Sequence, residues 1–388
     1  MHNTKLFRIS TVPTSLNVLL KGQLAFLQKH FELTAVSSAG AGLEEVRERE
    51  KVKTHAIAMK RNISPLNDVM SLLKLYFYFR REKPLIVHSI TPKAGLLSMI
   101  AAKMAGVPIR MHTYTGLIFP SKTGLMQRMM ITVDKLLCAC ATDVYPEGKG
   151  VKKDLESYGI TQKPLKILAN GNVNGIDLDH YSLQALSLDQ VKKLRQDLEI
   201  ADNDFVFVFV GRLVKDKGIN ELVQAFGELG LGNVKLLLVG PFESKLDPLR
   251  TDTLKNIKEH PDIISVGLQK DVRPYFAISD ALAFPSYREG FPNVVMQAGA
   301  MELPAIVTNI NGCNEIIQEG VNGTVIPSKN VEALKIAMRR IVTDEVYRLF
   351  LKKNARPMIA SRYQQKPVWE ALLEEYRQLM QRKAGMAN

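Results

Sequence analysis

The sequence predicts an α/β protein of two doubly wound domains, and three observations carry that expectation. Short apolar runs of strand length alternate with segments of helical period through the first 170 residues, a polar and turn-rich stretch interrupts them at 171–193, and the alternation restarts at F-V-F-V-F-V (205–210). Such alternation argues for mostly parallel sheets with helices on both faces. At 388 residues, 46% hydrophobic and 23% charged, the chain has material for two cores and lacks the bias of disordered or fibrous sequences. We expect domains at 1–172 and 173–364, followed by a helical segment at 365–388 that crosses back to the first domain.

In the first half the expected strands are 6–9, 33–37, 55–58, 85–89, 108–113, 143–145 and 165–169. The loop after the first strand, S-T-V-P-T-S-L-N, is where a dinucleotide fold carries its glycine turn, yet no glycine occurs before Gly22. NAD or FAD binding therefore loses its main support, and no cofactor is expected. Two loops at strand ends, V-H-S-I-T-P-K-A-G (87–95) and H-T-Y-T-G-L (112–117), bring His88, Lys93, His112 and Thr115 to the carboxyl side of the sheet. There they would line a ligand site, or the histidines would be structural; both readings stay open. The stretches 69–83 and 122–137 combine Leu, Met and aromatic faces with Lys and Arg, as a membrane-surface helix does and as a core helix with a solvated edge also does.

In the second half, strands are expected at 205–210, 235–239, 263–266, 281–284 and 305–308. The first leads into G-R-L-V-K-D-K-G, where Gly211 permits a tight turn and Arg212 and Lys217 suit a diphosphate, Arg through a fork of hydrogen bonds and Lys as a point charge. The fourth leads into P-S-Y-R-E-G-F-P-N and an oily helix. Glu289 lies in that turn beside Gly290, Pro292 suits the helix start, and Gln297 is polar within the helix. A strand-turn-helix of this form is a natural anion site.

Several function classes are disfavoured. No apolar signal region or spanning run is present, and three cysteines make neither a disulfide framework nor a four-ligand zinc site. The formal charge of +13 favours anionic partners, but the basic residues are scattered and no nucleic-acid signature occurs, so nucleic acid is not an expected partner. Asp177 and Asp179 imitate a manganese-binding pair, yet they fall in the polar connection with no strand before them. No metal is expected.

Taken together, Arg212 and Lys217 in G-R-x-x-x-x-K-G, S-Y-R-E-G-F-P-N with a polar residue eight positions after the Glu, V-H-S-I-T-P-K-A-G and N-G-I-D-L-D-H-Y resemble the retaining family-4 glycosyltransferases. The resemblance covers essentially the whole chain and is nearest the subgroup that builds bacterial capsule and other surface polysaccharides. It implies a GT-B fold, two Rossmann-like domains facing across a cleft, with the acceptor mainly on the first and a nucleotide-sugar, expected to be a UDP-sugar, on the second. Arg212 and Lys217 would hold the diphosphate, Glu289 would face the donor sugar, and Gly211, Gly290, Phe291, Pro292 and Asn293 would frame the donor. Gln297 stands where relatives carry a second Glu for the ribose, and Ile90 and Thr115 stand where many carry His, so His112 is expected to fill part of the acceptor-side role. A lipid-linked saccharide acceptor and a cytoplasmic position at the inner face of an anionic membrane complete the expectation. Its rivals are a sugar-nucleotide 2-epimerase of the same architecture and a non-catalytic partner subunit of a transferase.

Overall fold

The computed structural model describes residues 4–60, 62, 64–243 and 247–385. The chain forms two compact units, one of residues 1–175 with 365–388 and the other of residues 176–364; the last three positions of the tail lie outside the described residues.

The first unit holds a parallel sheet in the order β3-β2-β1-β4-β5-β6, with β1 Lys5–Ile9, β2 Glu32–Ser37, β3 Lys53–Ala56, β4 Ile86–Ser89, β5 Ile109–Tyr114 and β6 Asp143–Pro146. Helices cover both faces. One core joins the sheet to the helices Pro65–Glu82, Pro92–Met104 and Gly124–Cys140 through Leu75, Phe79, Leu97 and Leu137; the other joins it to Gln23–Gln28 and Gln365–Gly385 through Leu24, Leu27, Leu372 and Tyr376. Each fully buried Leu or Phe contributes about 1.5–3 kcal/mol relative to an exposed one. The tail helix is further held by Trp369, whose Nε1 donates to Asn174 Oδ1 (2.8 Å), and by Tyr145, whose hydroxyl donates to Glu375 (2.8 Å).

The second unit repeats the arrangement in the order β12-β11-β10-β7-β8-β9, with β7 Phe205–Val210, β8 Val234–Val239, β9 Ile263–Gly267, β10 Ala281–Phe284, β11 Ala305–Thr308 and β12 Gly323–Ile326. Residues 206–209 of β7 are wholly buried, which is why a central strand covered on both faces reads as an unbroken apolar run instead of an alternation.

Three expectations are corrected. Residues 165–169 form no strand: Leu165 packs into one core of the first unit, Leu168 into the other, and Lys166 pairs with Glu375, so the segment spends its side chains on helices and makes no ladder. The third strand lies two residues earlier than the apolar pattern implies, because its pairing with β2 runs from Thr34↔Lys53 to Ser37↔Ala56 and β2 ends there. The edge strand β12 went unrecognised; it is four residues long and begins at the glycine of the turn-like V-N-G. The three cysteines are free and buried.

Candidate active site

In both sheets the strand order reverses beside the first strand, and ligands of open α/β sheets bind outside the carboxyl ends of strands at that point. In the second unit the reversal lies between β7 and β10. The loop 211–218 leaves β7 and the turn 285–292 leaves β10, and the two are packed together. Gly218 has φ +71°, and a Cβ there would come within 2.1 Å of the Pro285 carbonyl oxygen, so a side chain would push the loops apart. Tyr287 N–H donates to Asp216 O (2.8 Å), and the Arg288 guanidinium meets Asp216 Oδ2 at 3.0 Å.

This packing makes the central contact of the site: Lys217 Nζ pairs with Glu289 Oε1. The same oxygen accepts a hydrogen bond from Ser286 Oγ (2.8 Å), and Ser286 is itself fully buried, with Thr308 Oγ1 donating to its carbonyl. Lys217 Nζ also sits 5.4 Å from the Phe284 ring centroid. The Glu289 carboxylate is thus held at one oxygen by a cation and a hydroxyl. The helix Asn293–Ala300 begins directly after the turn with Pro292 as its cap residue, so the positive end of its dipole lies at that turn.

Arg212 lies to the other side. Leu213 N–H donates to Pro241 O (2.8 Å), which sets the loop 211–218 beside the loop leaving β8, and Arg212 pairs there with Glu243. The Arg212 side chain is 52% exposed. Gln297 is half-buried and hydrogen-bonds Tyr181, whose hydroxyl burial pushes up to about 12. Asp177 Oδ1 accepts from the backbone N–H of Asp179 (3.2 Å) and His180 (3.0 Å), the pattern of an Asx turn.

The first unit treats its expected residues differently. His88 and His112 are each 1% exposed. His88 contacts Thr113 Oγ1 through Nε2 (2.8 Å) and Tyr376 and Arg8 through Nδ1; burial, with the Arg8 charge second, holds its pKa well below the usual histidine value. His112 contacts Ser89 Oγ (2.8 Å) and is held at about 3 by burial. A Cβ on Gly95 would lie 2.5 Å from His112 Cε1, so the helix Pro92–Met104 sits directly on the imidazole. His88 and His112, expected on the acceptor side, are thus both enclosed, and burial favours the neutral form of each. Lys93 is occupied by Asp68 (2.8 Å), and Thr115, half-buried, donates to Ile90 O (3.0 Å). Asp216, Ser286, Thr308, Glu243 and Tyr181 were missed as site residues. Ser286 and Asp216 lie inside the motifs and were legible as the groups between the charged ones; nothing local marks Glu243.

Two doubly wound parallel sheets of this strand order make the GT-B architecture. The family model for glycosyl transferases group 1 matches residues 190–358, and the model for the glycosyl transferase 4-like domain matches residues 24–171; the chain belongs to this family. It is 32% identical, over 99% of its length and 100% of the relative's, to the capsular polysaccharide biosynthesis glycosyltransferase CapM of Staphylococcus aureus. It is 29% identical, over 78% of its length and 77% of the relative's, to the Escherichia coli UDP-Gal:alpha-D-GlcNAc-diphosphoundecaprenol alpha-1,3-galactosyltransferase. Among solved structures, Anabaena Alr3699/HepE in complex with UDP and glucose superposes with a TM-score of 0.80 at 18% identity, covering 97% of this chain and 100% of that one.

Proposed function

We propose that the protein transfers a sugar, with retention of configuration and without a divalent metal, from a UDP-sugar to a hydroxyl of a lipid-linked saccharide in surface polysaccharide synthesis. The observation that carries this reading is the pairing of Lys217 with Glu289 at the switch point of the second sheet, beside the start of the Asn293–Ala300 helix. Breaking a sugar–phosphate bond leaves positive charge on the sugar and negative charge on the departing diphosphate. Lys217, Arg212 and the helix N-terminus supply fixed positive potential for the diphosphate, and Glu289 supplies a carboxylate for the sugar side. Gly211 and the backbone of Gly290, Phe291, Pro292 and Asn293 shape the donor's surroundings, and Gln297 with Tyr181 offers hydrogen bonds to its hydroxyls. The departing phosphate takes the proton of the acceptor hydroxyl, so no buried histidine is needed. The acceptor belongs to the first unit, with Thr115 and Lys93 at its carboxyl side. The two relatives, one a glycosyltransferase of capsular polysaccharide biosynthesis and the other a galactosyltransferase acting on a diphosphoundecaprenol-linked sugar, favour polysaccharide synthesis and a lipid-linked acceptor. The +13 charge favours a cytoplasmic position at an anionic membrane surface, and no helix among the described residues is long and apolar enough to cross a bilayer.

The test is a thermal-shift screen of UDP-, GDP- and ADP-sugars followed by transfer to a diphosphopolyprenyl saccharide, with the anomeric configuration of the product read by NMR. Stabilisation by a UDP-sugar, and a retained anomer formed in excess chelator, are expected. Inversion, or activity that returns only with manganese, would reject the mechanism. Donor consumed without any acceptor would make the protein an epimerase.

A further inference from the structure

The helices Pro65–Glu82 and Gly124–Cys140 each carry two apolar faces, and only one of them is buried. Toward the core the first helix sends Leu75 and Phe79, the second Leu137 and Cys138. Toward solvent the first exposes Leu66, Met70, Leu73 and Phe77, at spacing i, i+4, i+7, i+11; Leu66 is 88% exposed and Phe77 65%. The second exposes Leu125, Met129, Val133 and Leu136, at i, i+4, i+8, i+11, with Leu125 84% exposed. Each set lies on one side of its helix. Both helices pack on Pro92–Met104 and cover the same face of the first sheet. Large exposed apolar patches on a folded protein mark interaction surfaces.

The charges say what the surface meets. Lys74, Arg80, Lys122, Arg128 and Lys135 are all exposed on or beside these helices. The acids of the same helices are committed elsewhere: Asp68 to Lys93, Glu82 to Lys5 and Arg81, and Asp134 inward to the Tyr114 hydroxyl (3.3 Å). A second copy of the chain docking here about a twofold axis would set this positive face against itself. An anionic bilayer opposes it with the complementary sign and accepts the apolar side chains between headgroups.

We propose that these two helices form a docking face for a bilayer bearing anionic headgroups, and that the face serves the acceptor side of the first unit. The loop 115–123 runs straight from the carboxyl end of β5 into the second helix, exposing Ile118 on the way, and Tyr114 at the end of β5 is tied back to that helix through Asp134 and Cys138. Docking therefore brings the end of β5, where Thr115 lies, to the lipid surface. The inference rests on the lipid-linked acceptor proposed above.

The experiment is co-sedimentation of the full chain with vesicles of phosphatidylglycerol and phosphatidylcholine in equal parts at low ionic strength. Compared are wild type, Leu125→Glu combined with Met129→Glu, Phe77→Glu, and the control Val346→Glu at an exposed position of the second unit. The face variants should lose about tenfold or more in vesicle affinity with unchanged thermal midpoints, and the control should bind as wild type does. With acceptor embedded in the vesicles their transfer rate should fall, while transfer to a short water-soluble acceptor should not. Face variants that sediment like wild type, a wild type that fails to sediment, or a wild-type dimer that the face variants dissociate while vesicle binding persists, would each overturn the proposal. Should wild type transfer sugar to neither acceptor, the enzymatic reading fails by itself and the vesicle result judges the face alone.

Discussion

The two sheets follow the same winding, yet their switch points differ in kind. Where the first sheet reverses, between β1 and β4, the loops are stitched by neutral hydroxyls: Thr11 Oγ1 meets Thr91 Oγ1 at 2.8 Å, and Ala94 N–H donates to Thr11 Oγ1 at 3.2 Å. Where the second reverses, between β7 and β10, a lysine meets a carboxylate under a half-exposed arginine loop. Topology supplies an opening in both units, and side chains decide how charge is placed at each. An ion pair with side chains 18% and 14% exposed has lost much of its hydration, and it joins the two loops that leave the switch-point strands, whereas the comparably shielded Lys93–Asp68 pair of the first unit ties the start of the helix after β4 to the helix Pro65–Glu82.

The largest effect that would break this comparison is at Glu289. Glu289→Ala should lower kcat by about 10²-fold or more while donor affinity changes little, as loss of a group acting in the transition state does. A variant that keeps its turnover would return the second switch point to a structural role.

The buried imidazoles of the first unit provide the converse test. Folded, the protein holds His112 neutral down to about pH 3, whereas the unfolded chain takes up that proton near 6.5. Between those values the unfolded state binds more protons, so stability is intact above about pH 6.5 and falls as the pH drops toward 3, by at most about 1.4 kcal/mol per pH unit for this group. His88 acts in the same direction. His112→Leu should flatten the acid limb of a denaturation series and leave kcat within about twofold. A 10²-fold loss of turnover with unchanged acid stability would restore His112 to the chemistry.

Gln297 sharpens the division within the second unit. Gln297→Ala should raise the donor KM by the roughly 0.5–1.5 kcal/mol of an ordinary hydrogen bond with kcat nearly unchanged, and Gln297→Glu should be tolerated because a carboxylate accepts the same bonds. Normal donor binding combined with a collapse in kcat would move the amide into the reaction.

The smallest expected effect concerns Glu243, which occupies Arg212 where a diphosphate would bind. Glu243→Gln removes that competing charge and should tighten UDP binding a few-fold at low salt, an exposed pair being worth about 0–1 kcal/mol. Weaker binding by calorimetry would show that Glu243 positions the arginine instead.

Alternation of apolar runs with helical segments determined by itself that there would be two parallel sheets, since strands covered on both faces need continuous hydrophobic sequence and parallel connections need a crossover. It also placed Arg212, Lys217 and Glu289 on loops at strand ends, because a turn that approaches a ligand needs glycine and charge at fixed offsets. Partner choice was not legible. Lys217 meets Glu289 across 72 residues and Arg212 meets Glu243 across 31, contacts that exist only once β7, β8 and β10 lie side by side. His112 looked available because a residue near a strand end reads as a loop residue, and only the helix laid over it at Gly95 removed it from solvent. The same limit governed the helices Pro65–Glu82 and Gly124–Cys140. A helix with apolar residues on two sides does not say which side is inward, and the answer came from the sheet that one side must cover.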